Sequence, residues 1–206
     1  MAGMLIKFYK IVKIRLNKVK TYIIRRSFIN ECIVGNKFTC GLYSRCINKT
    51  GEKERIKIGN NCELLATLSV FGNGHINIGN YTTMRNNTRV ISTCGIDIGE
   101  YVIISNNVTI YDNNTHPTDP KERVAMSESG FYSELWNPIR AESATIKIGD
   151  NVWVGERATI LKGVTIGKGS IIGMNAMVTK DVPEYGVIVG NPGRLVKKID
   201  QDNIYE

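Results

Sequence analysis

Isoleucine or valine stands at every sixth position from Ile148 to Val178: Ile148, Val154, Ile160, Ile166, Ile172 and Val178. Four places after each comes a small or β-branched residue: Val152, Ala158, Val164, Ser170, Ala176 and Val182. An α-helix repeats near 3.6 and a half-buried strand at 2, so neither accounts for a period of six. One inward aliphatic per six residues predicts a chain wound into triangular coils, each side a short strand. Gly149, Gly155, Gly167 and Gly173 directly follow the aliphatic. They are expected to let the backbone take a sharp corner without steric cost.

The same beat occurs earlier with an addition. Ile58-Gly59, Ile78-Gly79 and Ile98-Gly99 are spaced by twenty, and each opens three hexads: Ile58, Leu64, Val70; Ile78, Met84, Val90; Ile98, Ile104, Ile110. The extra pairs Ile76-Asn77 and Ile96-Asp97 predict a small bulge at one corner of each coil. A single coil buries little, so stability must come from stacking. Residues 30–57 read as an irregular first coil, with a hint of a hexad at Ile33-Val34-Gly35-Asn36. The beat runs to Thr115, stops, and resumes at Ile148, which leaves residues 116–147 as an excursion. Asp119-Pro120, Ser129-Gly130 and Asn137-Pro138 punctuate it. A long loop thrown out of a rigid solenoid is usually functional.

Before the coils the period changes. Leu5, Phe8, Val12, Leu16, Val19 and Ile23 fall at three- and four-residue steps and predict an amphipathic helix over 4–26. The helix either packs on the first coil or a neighbouring subunit, or lies on an anionic membrane face. The charged tail from Arg194 predicts a short C-terminal helix. The chain thus divides into a basic helical segment, 1–30, and a coil domain, 31–206.

The net charge of +8 belongs to the first segment. Lys7, Lys10, Lys13, Arg15, Lys18, Lys20, Arg25 and Arg26 occur there with no acid, and the remainder is balanced. With no basic excess or recognition motif on the body, nucleic acid is not an expected partner. No apolar run reaches about 18 residues, which argues against a spanning helix. Without a leader-peptide pattern at the N-terminus, the expected location is the cytoplasm. Cys32, Cys40, Cys46, Cys62 and Cys94 form no CxxC pair and are expected to be reduced.

Two histidines bound the chemistry. His116 follows the last regular hexad and opens the excursion, so it is anchored on one side and faces a loop on the other. That placement suits a general base. Asp112, Asp119, Glu122, Glu128 and Glu134 are the nearby carboxylates that could orient the imidazole, and spacing does not choose among them. His75 follows Gly74 at a corner and is the weaker candidate. There is no Ser or Cys nucleophile motif, no phosphate loop and no zinc spacing. Two histidines cannot supply a three-histidine zinc site.

Four features occur together: the hexads, Ile110-Tyr111-Asp112-Asn113-Asn114-Thr115-His116-Pro117, Ile148-Gly149-Asp150-Asn151-Val152-Trp153-Val154-Gly155, and the stretch from Val178-Thr179-Lys180-Asp181-Val182-Pro183 to Gly190-Asn191-Pro192-Gly193-Arg194. Over residues 55–198 the chain resembles hexapeptide-repeat acyltransferases, most closely the maltose, galactoside and polysaccharide O-acetyltransferase branch. The resemblance implies a mainly β chain forming a left-handed parallel β-helix, a homotrimer with sites between subunits, and acetyl-CoA lying along the coils as donor. It implies His116 as the base that activates an acceptor hydroxyl. It implies a donor to the oxyanion near Gly155 and Glu156, a pocket wall at Trp153, and CoA contacts at Thr179, Lys180 and Arg194.

Where those sugar enzymes carry an acceptor-binding Asn and Asp, this chain has Arg85 and Thr93. The adjacent Asn86 and Asn87, with Glu128, become the acceptor candidates. The expected activity is acetyl transfer to a saccharide hydroxyl in surface polysaccharide synthesis, at the inner face of the membrane if the basic helix binds there. Transfer to the amine of an amino-sugar nucleotide is the alternative.

Overall fold

The computed structural model describes residues 2–200. Coils begin at Ile33 and build three parallel sheets that form the sides of a prism. Sheet I has six strands, among them Ile58, Ile78, Ile98, Ile148 and Ile166 in one column. Sheet II has eight, with Leu64, Met84, Ile104, Val154, Ile172 and Ile188 stacked inside. Sheet III has six, with Leu68, Val90, Ile110, Ile160 and Val178 stacked inside. These side chains are buried in a single aliphatic core. Each coil adds about 4.8 Å along the axis.

The extra pairs do not form a bulge. Ile76, Ile96 and Ile146 lie within sheet I, fully buried and in register with one another, so the additional residues widen that side by a second inward aliphatic. In the coil from Ile58, Val70 does not share the column of Val90. Leu68 does, and Val70 pairs with Ser92, because the corner after Leu64 is two residues shorter than the corner after Met84.

The corner glycines have a different reason from the one expected. Gly59, Gly79, Gly99 and Gly149 are absent from the left-handed region, which is occupied two residues later by Asn61, Tyr81, Tyr101 and Asn151. What they lack is room. A Cβ on Gly59 would sit 2.7 Å from the Asn80 nitrogen, and one on Gly79 would sit 2.5 Å from the Gly99 carbonyl carbon. The next residue then ties the coils together: the side-chain oxygens of Asn60, Asn80 and Asp150 accept the backbone N–H of Asn36, Asn60 and Glu100.

Helix α1 runs Ala2–Glu31, longer at both ends than the apolar spacing predicted. Its last turns close the open base of the core: Phe28 is buried against Phe38, with ring centroids 5.3 Å apart, and Ile24 packs beside it. This is a cap of the kind a stacked core needs at its end. The predicted stripe is not what packs. Phe8, Val12, Leu16, Val19 and Ile23 are exposed. The side chain of Leu5 lies outside the described residues.

At the far end the predicted helix from Arg194 is a strand, Arg194–Lys198, antiparallel to Gly186–Val189. The edge of sheet II would otherwise leave backbone donors and acceptors unpaired. The turn through Gly190-Asn191-Pro192-Gly193 folds the chain back to fill it, and the two lysines make the new edge polar. Residues 201–206 lie outside the described residues.

Candidate active site

His116 is positioned by the foot of the excursion. Strand Thr109–Tyr111 lies inside sheet III, between Arg89–Ser92 and Thr159–Ile160, and the chain then leaves it through Asp112 and Asn113. The returning segment pairs with it: Asn113 bridges Ser143 antiparallel, Asn114 N–H donates to Glu142 O at 3.0 Å, and Ala144 N–H to Asp112 O at 2.8 Å. The foot is therefore a two-stranded clamp. Thr115 takes a left-handed φ of 62°, held by its N–H donating to the Asn113 side-chain oxygen at 2.8 Å, and this turns His116 outward. The imidazole is exposed and meets the edge of Trp136, with centroids 5.8 Å apart and rings near perpendicular.

None of the five candidate carboxylates bonds the imidazole among the described residues. Asp112 is fully buried and accepts from Ser92 Oγ and from the N–H groups of Thr93, Cys94 and Gly95 at 2.7 to 2.9 Å. It fastens the corner of the coil below and is spent. Asp119 caps helix α2, Pro120–Glu128, by accepting from Lys121 N–H. Glu128 sits exposed at the end of α2, and Glu122 and Glu134 are also exposed.

The carboxylate that does flank His116 is Glu142, which the spacing did not single out. It accepts from Asn114 Nδ2 at 3.2 Å and Thr118 Oγ1 at 3.4 Å, one on either side of His116, and lies 3.8 Å from Lys162 Nζ. Trp136 was missed as well. Among the described residues its indole nitrogen is the buried side-chain polar atom left without a partner, an unpaired donor beside the His116 ring. Phe131 lies against it, the ring centroids 4.8 Å apart and the planes tilted by 31°. Both lie in the excursion, where no period guides the eye.

The remaining predicted residues fall into two groups on opposite edges of sheet III. The corner from sheet III to sheet I carries His116. One coil further on it carries Lys162, and another coil on, Thr179 and Lys180. Lys180 and Arg194 line one cleft of about 250 Å³, with Pro183 and Leu195. The His116 root and Lys180 are two coils apart, roughly 10 Å of axial rise.

The opposite corner, from sheet II to sheet III, carries Asn86, Asn87, Gly155 and Glu156. Asn87 lines a second cleft of about 390 Å³ with Thr67, Arg89, Asn107 and Thr109, and the Arg89 guanidinium lies over the Tyr111 ring. Trp153 points outward from sheet II, half exposed, beside Ile103 and Ile171. A single chain therefore does not bring Trp153, Asn87 or Glu156 to His116. The Gly155 N–H donates to Ile172 O at 2.7 Å inside the ladder, so of the expected oxyanion pair only Glu156 remains available.

The other candidates are structural. His75 packs over Gly95 and pairs with Asp97 at 3.3 Å, and Asn77 donates to the same carboxylate. The five cysteines are free thiols. Burial pushes Cys40 and Cys62 above the usual thiol range, and a hydrogen bond that the Cys46 thiol donates to Cys32, together with burial, does so for Cys46. Another groove of about 440 Å³ lies under α1, lined by Ile24, Phe28 and Leu42, at the base and away from His116.

Known proteins share this repeat. Residues 145–180 match the model of the bacterial transferase hexapeptide, six repeats, and residues 90–112 match the hexapeptide repeat of succinyl-transferase. The chain is a hexapeptide-repeat left-handed β-helix.

The hexapeptide-repeat chain superposes on AntD, an N-acyltransferase from Bacillus cereus solved with dTDP and 3-hydroxybutyryl-CoA. The identity is 19%, the TM-score 0.65, and the match covers 84% of this chain and 86% of that one. It also superposes on a hexapeptide-repeat acetyltransferase of Vibrio cholerae solved with acetyl coenzyme A, at 23% identity and TM-score 0.59, over 90% and 79%. In sequence it is 47% identical to a chloramphenicol acetyltransferase of Agrobacterium fabrum over 58 residues, 28% of each chain. It is 49% identical to a protein of Staphylococcus aureus (strain COL) named as an acetyltransferase, over 30% of this chain and 31% of that one. The hexapeptide-repeat chain thus spans about a third of the length of these curated relatives.

Proposed function

We propose that the protein transfers an acetyl group from acetyl-CoA to a hydroxyl of a saccharide, with His116 as general base, in the synthesis of a surface polysaccharide. The observation that carries this is the corner running from His116 past Lys162 to the Lys180–Arg194 cleft. It offers a base at one end and cations for CoA phosphates at the other, along a rigid axis. In this reading His116 removes the acceptor proton as the acceptor oxygen attacks the thioester carbonyl. The Glu156 N–H, from a neighbouring copy, donates to the oxyanion. The imidazolium returns its proton to the departing CoA thiolate, which closes the balance. Asn114 and Thr118, held by Glu142, keep the imidazole in place, and the Trp136 N–H is a ready donor to the acceptor.

The two separated corners support a homotrimer. A rotation that sets the His116 corner of one subunit against the Asn87–Glu156 corner of the next would unite them, and exposed Phe131, Tyr132, Ile103 and Trp153 would be covered. In such a site Asn86 and Asn87 reach the acceptor, and Thr179, Lys180 and Arg194 hold CoA. The cytoplasm, where acetyl-CoA is made, is the location this reading requires.

A second reading is N-acetylation of an amino-sugar nucleotide. The fold of AntD, solved with dTDP, and the Arg89 guanidinium in the Asn87 cleft favour it. Acetyl-CoA turnover by the purified protein, assayed against neutral sugars, oligosaccharides and amino-sugar nucleotides, decides between the two. Products stable to mild base favour the amide, and base-labile products the ester. No turnover with any hydroxyl acceptor, beside turnover with an amine, overturns the first reading.

A further inference from the structure

The exposed part of α1 presents an apolar stripe with no partner among the described residues. At about 100° per residue, Phe8, Val12, Leu16, Val19 and Ile23 occupy one side, broadened by Tyr9 and Tyr22. Ile24 and Phe28, which seat the helix on the first coil, point to a different side. The stripe therefore stays uncovered when the helix is docked. Cations border it: Lys13 and Lys20 along one edge, Lys18 and Arg15 along the other, Arg26 at its C-terminal end, and Lys7, Lys10 and Arg25 behind, where exposed Ile6, Ile11 and Ile14 lie among them. No acid occurs before Glu31.

We propose that α1 is a docking face for an anionic lipid surface, lying in the headgroup layer with the stripe inserted. A second copy of the chain is a poorer occupant. Stripe-to-stripe packing would place the flanking lysines and arginines of each helix along those of its neighbours, and no acid is available to pair with them. An anionic membrane answers both features at once, burying the apolar side while the long basic side chains reach the phosphates. Among the described residues no helix is long and apolar enough to cross a membrane, so the contact is peripheral. Because the helix is seated at the base, docking leaves the Lys180–Arg194 cleft at the opposite end of the solenoid, open to solvent.

The test is co-sedimentation of the full chain with phosphatidylcholine vesicles, with and without phosphatidylserine, at low and high salt. The chain pellets with phosphatidylserine vesicles at low salt, is released by high salt, and ignores pure phosphatidylcholine. Lys13→Gln with Lys20→Gln lowers partitioning about 30-fold. Leu16→Ser with Val19→Ser abolishes it while acetyl-CoA binding and sedimentation coefficient stay unchanged. A full chain that remains in the supernatant with phosphatidylserine vesicles overturns the proposal. So does a Leu16→Ser, Val19→Ser variant that falls apart into smaller species, since the stripe would then be an assembly contact.

Discussion

At the level of single residues, the chain separates positions that turn from positions that pack. The left-handed corners are filled by Asn61, Tyr81, Asn87, Tyr101, Asn107 and Asn151, while the glycines two places before several of them are needed for space. A methyl on Gly79 would meet backbone that is itself held in the ladder, so it cannot be absorbed by a rotamer change. Gly79→Ala is expected to cost about 2 kcal/mol, the usual scale of overpacking a tight site. In a chain of this size that lowers the melting temperature by about 5 °C, read by calorimetry.

Glu142 acts through others. By bonding Asn114 and Thr118 it holds the turn that aims the imidazole. Glu142→Ala is expected to lower kcat about tenfold with little change in the KM for acetyl-CoA, since loose positioning costs rate before it costs donor binding. An unchanged kcat would remove Glu142 from the site.

At the scale of elements, the hexads were readable because each inward residue is dictated by its own coil. The stack then repeats that choice, as the Ile78, Ile98, Ile148 column does. The ladder also explained the excursion, since the interruption after Thr115 is visible as a missing beat. What lay beyond local pattern was set by pairing at a distance. Arg194–Lys198 became a strand because sheet II had an open edge, a fact that belongs to Gly186–Val189 and not to the tail. Glu142 and Trp136 come to His116 through the clamp between 112–114 and 142–144, which no periodicity announces.

The same scale carries a prediction about the donor. Lys180 and Arg194 come from different elements but share one cleft. Lys180→Ala and Arg194→Ala should each raise the KM for acetyl-CoA about tenfold, as loss of a charge-assisted bond to phosphate would. The effect should vanish with an acetyl-pantetheine thioester in steady-state assays. Equal losses with both thioesters would assign the two side chains another task.

At the scale of the molecule, sheet III divides the site. His116 and the cationic corner lie on one edge, and Asn87 and Glu156 on the other. A solenoid is too rigid to fold its own edges together, so the complete site calls for a neighbour. Sedimentation equilibrium at micromolar concentration should give a homotrimer. An active monomer would contradict the shared site.

The central claim is that His116 moves the acceptor proton on this scaffold. It is tested most directly by His116→Ala, measured by titration calorimetry with acetyl-CoA and by turnover with the acceptor identified in the screen. The side chain is exposed and meets the edge of the Trp136 ring, so folding and donor affinity should match the parent protein. Turnover should fall about 100-fold or more, the scale of a lost general base. A variant that binds acetyl-CoA normally and keeps near-parental turnover would contradict the account.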